Sequence, residues 1–229
     1  MHIKTPNQTP QAMNESIAFA IAGSIVTRDV RQKHIGLIYR NQDSKIMLLH
    51  LAWHHKLIKE EWDGKYHWLE LKGLDRELQE TFADWAEIVS NAGEETPIPY
   101  SVIFRSNKNF DPTGRFIDLK DGSGLTCATF ILSLFNDFNL PLIDSFNWPE
   151  SRKGDLTWLR RILKYLKINE VLNNTMSKSV WYEQFKQRHR LKRFRPEEVF
   201  ATASLFSGNP LSFHIVENAG SIVNQKIPP

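Results

Sequence analysis

The chain has 229 residues, 41% of them hydrophobic, with seven tryptophans and a formal net charge of +3. That is enough apolar material for one large domain or two small ones, and too mild a charge to read as a nucleic-acid protein. A single cysteine, Cys127, excludes an intramolecular disulfide framework and any C-x-x-C metal spacing, which fits a reducing, cytoplasmic setting.

Residues 1–14 are polar, carry two prolines and read as a flexible arm. The apolar run "SIAFAIAGSIV" that follows is about ten residues long, too short to cross a bilayer. Glu15 directly before it, and only Lys4 as a basic start, argue against a signal-peptide core. "SIVTRDV", "HIGLIYR" and "KIMLLHLAWH" are rich in β-branched and apolar residues and predict strands. "NQDS" between the last two predicts a hairpin turn. "KYHWLEL" resembles one more short strand.

From Asp75 the period changes. Leu74, Leu78, Phe82, Trp85 and Val89 recur at helical spacing as far as Gly93, which suits a helix C-cap. "YSVIF" and "RFIDL" are candidate short strands around a loop. A helix opens near Cys127, buries Ile131, Leu132, Leu134, Phe135 and Phe138, and stops before Pro141. "GDLTWLRRILKYLK" predicts a further helix with Asp155 as N-cap. "KSVWYEQFKQRHRLKRFR" ends in a basic run, and Pro196 with two following glutamates marks another helix start. "GNPLSFHIVENAG" and "SIVNQKIPP" read as an irregular tail.

These elements predict an α+β fold: a small antiparallel sheet packed against the Cys127 helix, with a helical C-terminal extension. The expected organisation is an arm at 1–14, a catalytic core at 15–150 and an extension at 151–229 packed on that core. About eighty residues bury only a modest core alone, so the apolar faces of the extension call for a partner.

The chemistry turns on Cys127. A thiol at a helix N-terminus is positioned for activation, because unpaired N–H groups favour the thiolate. It needs a base. Among eight histidines, His34 in "HIGLIYR" and His50 in "LLHLAWH" lie on the two strands of one predicted hairpin, where opposing side chains come within about 5 Å. One imidazole then takes the thiol proton while the other fixes its tautomer.

The order "H-x-G-x-x-Y", then "HLA", then a "CxxF" helix resembles the circularly permuted branch of the NlpC-type papain-like fold, which includes lecithin:retinol acyltransferase and its relatives. The matching residues are His34, Gly36 and Tyr39, then His50, Leu51 and Ala52, then Cys127 and Phe130. The resemblance covers roughly residues 20–150. It implies Cys127 as nucleophile, His34 as base, His50 as the orienting third residue, and a papain-like fold. The acyltransferase relatives carry Asn-Cys-Glu-His-Phe at the nucleophile, whereas this chain has Thr126, Ala128 and Thr129 around Cys127. That departure points away from lipid acyl transfer and toward the permuted peptidases and amidases.

The expected activity is therefore cysteine-dependent hydrolysis of an amide or related acyl bond through a thioester. The partner is an amide- or acyl-containing substrate, with no cofactor and no metal. Tyr39 and Trp53 are weaker candidates for substrate contact. His54 and His55 are rivals for the base, and with His50 they form the one histidine cluster that invites a metal reading, though no acidic companion accompanies them in "HLAWHHKL". The competing class is a papain-like binding module without turnover, working through its basic C-terminal helical surface. An activated thiol would favour the enzyme; an inert, buried thiol would favour the module.

Overall fold

The computed structural model describes residues 1–8, 16–27, 30–105, 108–119, 121–173 and 178–227. Alternating β-branched and apolar residues build a five-stranded antiparallel sheet: β1 Ile17–Thr27, β2 Val30–Arg40, β3 Ile46–Trp53, β4 Lys56–Glu61 and β5 His67–Glu70. Their spatial order is β4-β3-β2-β1-β5. The apolar run at 16–26 is thus an interior strand whose residues Ile17 to Ile21 are fully buried. The predicted turn lies where expected: Asn41 Oδ1 accepts the Lys45 N–H at 2.8 Å, and Ser44 takes the left-handed conformation that closes such a turn. Strand β4, set off by the tight turn at His54 and His55, was not anticipated, because "KLIKEE" is too charged to read as a strand; it forms the exposed sheet edge.

Strand alternation divides the sheet into two faces. Ile35, Leu37, Tyr39, Leu49 and Leu51 join the main core with helices α1 (Arg76–Ala92) and α2 (Cys127–Asp137). Ile38, Leu48, Ala18, Ala20 and Trp68 form a smaller cluster on the other face. Helix α1 starts at Asp75, whose side chain caps the Leu78 N–H, and ends at Gly93, whose N–H returns to the Val89 carbonyl. Of the two candidate short strands, Tyr100 pairs only with Leu125, and Phe116 only with Phe110, as isolated bridges. Prolines 97 and 99 remove the donors a longer ladder would need.

Four helices follow: α3 Asp155–Asn173, α4 Lys178–Lys186, α5 Pro196–Thr202 and α6 Phe213–Lys226. Two expectations are corrected here. The tail is a helix, not irregular, because Val216, Ala219, Gly220 and Val223 give it a narrow buried stripe. Asp155 does not act through the helix cap: its fully buried carboxylate faces Arg195 at 3.1 Å and Arg193 at 3.4 Å. Helices α5 and α6 enter the same core as β1, β2 and α2, while α3 builds a second cluster with Tyr100, Val102 and Leu191. Lys33 on β2 reaches α6 through Asn224 Oδ1 at 2.5 Å. At the other end of the chain, Lys4 pairs with Trp68 beside β5. Of the predicted arm, residues 9–14 lie outside the described residues. No helix among the described residues is long and apolar enough to cross a membrane.

Candidate active site at the fork between two strands

The β2–β3 ladder runs from Arg40–Ile46 only as far as Leu37–Leu49. Beyond it β2 stays with β1, while β3 stays with β4. The two strands therefore fork, and the Ile35 N–H loses the strand partner it would have had. The N-terminus of α2 fills that gap, and the Cys127 thiol sulfur accepts the Ile35 N–H.

Local sequence explains why α2 begins there. Thr126 and Thr129 form a reciprocal cap: the Thr129 N–H donates to Thr126 Oγ1 at 3.2 Å, and the Thr126 N–H donates to Thr129 Oγ1 at 2.7 Å. Helix initiation thus accounts for the two threonines that flank the nucleophile candidate. Just upstream, Gly124 passes so close to Pro99 that a Cβ would lie 2.2 Å from its carbonyl oxygen, so only glycine permits the Tyr100–Leu125 bridge.

The two candidate histidines meet across the fork. His34 Nε2 and His50 Nδ1 are 2.8 Å apart, with the rings edge to face. Gly36, next on the same face, makes this possible, since a Cβ there would come within 3.1 Å of the His50 Cβ. His50 Nε2 in turn faces Glu60 Oε1 at 3.5 Å. Burial and the neighbouring His50 push His34 down to about 3, and burial also lowers His50 against the opposing pull of Glu60. Both rings are neutral near pH 7. The pairing occupies Nε2 of His34, and its Nδ1 makes no hydrogen bond among the described residues.

Cys127 is buried, and desolvation pushes its thiol up to about 11 despite the N–H groups of Ile35, Ala128 and Cys127 itself, which pull the other way. No hydrogen bond joins the thiol to either imidazole. What lies against it is a small cavity of about 20 Å³, lined among others by Gln32, Tyr100, Trp158 and Arg193. That is room for about one water molecule. Gln32 accepts from the Trp158 indole at 2.9 Å and hydrogen-bonds the Tyr100 hydroxyl. Burial, and the adjacent Cys127, raise Tyr100 far above its ordinary value, so it is a neutral hydroxyl.

The remaining candidates fall elsewhere. Tyr39 is fully buried and donates to Glu87 on α1, a structural tie rather than a cavity wall. Trp53 packs on Tyr100, with ring centroids 4.5 Å apart, and so supports the cavity from behind. His54 Nδ1 accepts the Tyr100 N–H at 3.0 Å, and its ring stacks on His55. Among the described residues no group of three His, Cys, Asp or Glu side chains is placed to hold a metal ion. Sequence reading missed Gln32, although it stands two positions before His34 on the same strand face. It also missed Glu60, Tyr100 and Arg193, for which no local signal exists.

No family model matches the chain, and no curated protein or solved structure is similar to it. The arrangement of thiol, paired imidazoles and helix start therefore has to carry the functional reading by its own chemistry.

Proposed function

We propose that this protein is a cysteine-dependent hydrolase of an amide or related acyl bond, of the permuted NlpC-like kind. The observation that carries the reading is the pairing of His34 Nε2 with His50 Nδ1 beside a thiol seated on the N–H of Ile35, the residue after His34. In this reading His34 is the base, held through Nε2 by His50, and its Nδ1 has to reach the Cys127 thiol during turnover, the contact nucleophilic catalysis requires.

The raised thiol and lowered imidazole define how the chemistry would run. The pair rests as neutral thiol and neutral imidazole, not as an ion pair. His34 Nδ1 takes the thiol proton as the sulfur attacks the acyl carbon. The N–H groups around Cys127 hold the developing negative charge, a contribution often worth several kcal/mol. His34 then protonates the leaving amine or alcohol, and water hydrolyses the thioester. A reducing compartment such as the cytoplasm would keep this thiol available.

Alkylation of Cys127 by iodoacetamide across pH tests the reading. The native rate should rise from neutral pH toward about 11, and Cys127→Ala should abolish both labelling and trapping by acyl electrophiles read by intact mass. Labelling only after denaturation would sink the nucleophile assignment. That outcome would favour the second reading, a papain-like binding module without turnover, for which the observation is the burial that raises the thiol.

A further inference from the structure

The basic run "RHRLKRFR" at 188–195 does not form a free helical surface. A short 3-10 turn, Gln187–His189, ends the preceding helix, and the chain then passes extended toward α5. Leu191, Lys192, Arg193 and Phe194 form one wall of the cavity beside Cys127. Leu191, Lys192 and Phe194 also line a second cavity of about 250 Å³, together with Arg190, Gln184 and Phe146. This segment is therefore the partition between the thiol and a space large enough for a substrate side chain.

The charge of the two cavities is one-sided. Arg190, Lys192 and Arg193 line them, and among the described residues no carboxylate does. Arg193 is held in place rather than neutralised. Its guanidinium stacks 4.0 Å over the Trp158 ring and touches Asp155 at 3.4 Å, but Asp155 is shared with Arg195 at 3.1 Å and Arg152 at 3.7 Å. Glu198 at 2.5 Å and the partly exposed Glu217 at 3.9 Å both offset Arg152, so three arginines face two buried carboxylates and one at the surface. Glu197 also acts on Arg193 and on the thiol, from behind the wall, where Asn224 holds it at 3.2 Å. Lys192 directs its ammonium to the carbonyls of Ser145 and Phe146, at 3.1 and 2.7 Å, on the rim of the larger cavity.

We infer that the 190–193 segment is an anion subsite, and that the substrate is an amide or ester carrying a carboxylate close to the bond that Cys127 attacks. A planar carboxylate in the larger cavity suits the fork of Arg190, with parallel donors at fixed spacing, while Arg193 adds a fixed positive charge from the thiol side of the partition. The aromatic walls of the larger cavity, Phe104 and Phe146, take the apolar remainder. This inference rests on the nucleophile reading of Cys127 and adds the substrate class to it.

Iodoacetate and iodoacetamide give a direct test, since they differ in little but charge. The ratio of their alkylation rates at Cys127 in the native chain is compared with the ratio in the same chain unfolded in urea. A cationic subsite should raise the native ratio at least about fivefold, and added salt should reduce the gain. Arg193→Gln should lower the ratio toward the unfolded value, and Arg193→Lys should keep part of it. If loss of Arg193 unfolds the chain, the double variant Arg190→Gln, Lys192→Gln, outside the buried arginine network, carries the same test. An unchanged ratio with normal labelling by both reagents would overturn the subsite while leaving the nucleophile in place. Failure of both reagents on the native chain would overturn the nucleophile and the subsite together.

Discussion

Two histidine pairs fall between residues 34 and 55, and the fold uses them differently. His34 and His50 come from different strands and meet side by side across the fork, at 2.8 Å. His54 and His55 are neighbours in sequence, and their rings stack 3.7 Å apart at the β3–β4 turn. The first pair closes a relay that ends at Glu60. The second closes a turn: His55 takes a left-handed backbone, its N–H donates to the Ile98 carbonyl, and His54 fixes the Tyr100 backbone. Adjacent residues are well placed to shape a turn. Bringing two side chains face to face at a chosen distance takes a strand register.

Substitutions at the four positions should separate these roles. The largest effect is expected at His34. His34→Ala removes the proton acceptor, and the acylation rate of Cys127 by an activated ester should fall at least about a hundredfold, the usual scale of a positioned base. An unchanged rate would move the base elsewhere. His50→Ala leaves the base but frees its Nε2, and the rate should fall about tenfold, in line with one lost hydrogen bond. His50→Gln should restore part of it, because an amide can still bond Nε2.

His54→Ala should leave the acylation rate within about twofold. It should instead destabilise the chain by about 1 kcal/mol, since the Tyr100 N–H loses its acceptor; urea unfolding measures this. A large rate loss with unchanged stability would exchange the roles of the two pairs.

Acid gives the subtlest comparison. His34 is lowered from 6.5 to about 3, chiefly by burial, so the folded chain keeps it neutral while the unfolded chain binds a proton. The stability this provides is fully present above about pH 6.5 and is lost as pH falls toward 3. His50 is lowered as well and acts in the same direction. Melting temperature should therefore decline through this window, and His34→Gln should flatten the decline. A decline of equal slope in wild type and His34→Gln would mean that ordinary carboxylates dominate it.

Much of the sheet was legible from local pattern. The β2–β3 hairpin, its "NQDS" turn, the start of α1 at Asp75 and the start of α5 at Pro196 each follow from residues within a few positions of one another. The elements that escaped were those whose stabilisation is tertiary. Strand β4 is too charged to announce itself and exists because β3 offers it an edge. Helix α6 carries only a narrow buried stripe, and its Gly220 passes so close to Glu198 of α5 that a Cβ would lie 2.9 Å from its Cγ. Asp155 reads as a cap in sequence, but three arginines brought from elsewhere claim its carboxylate.

By itself the sequence determined the candidates: one thiol at a capped helix start, and two histidines on adjacent strands, because strand and helix periods are local properties of the chain. It did not determine the environment that sets their reactivity. The forked ladder, the burial that raises Cys127 and lowers His34, and the wall of Arg190, Lys192 and Arg193 all arise from contacts between distant segments. Desolvation and Coulomb interactions depend on distance in space, which the tertiary structure alone fixes.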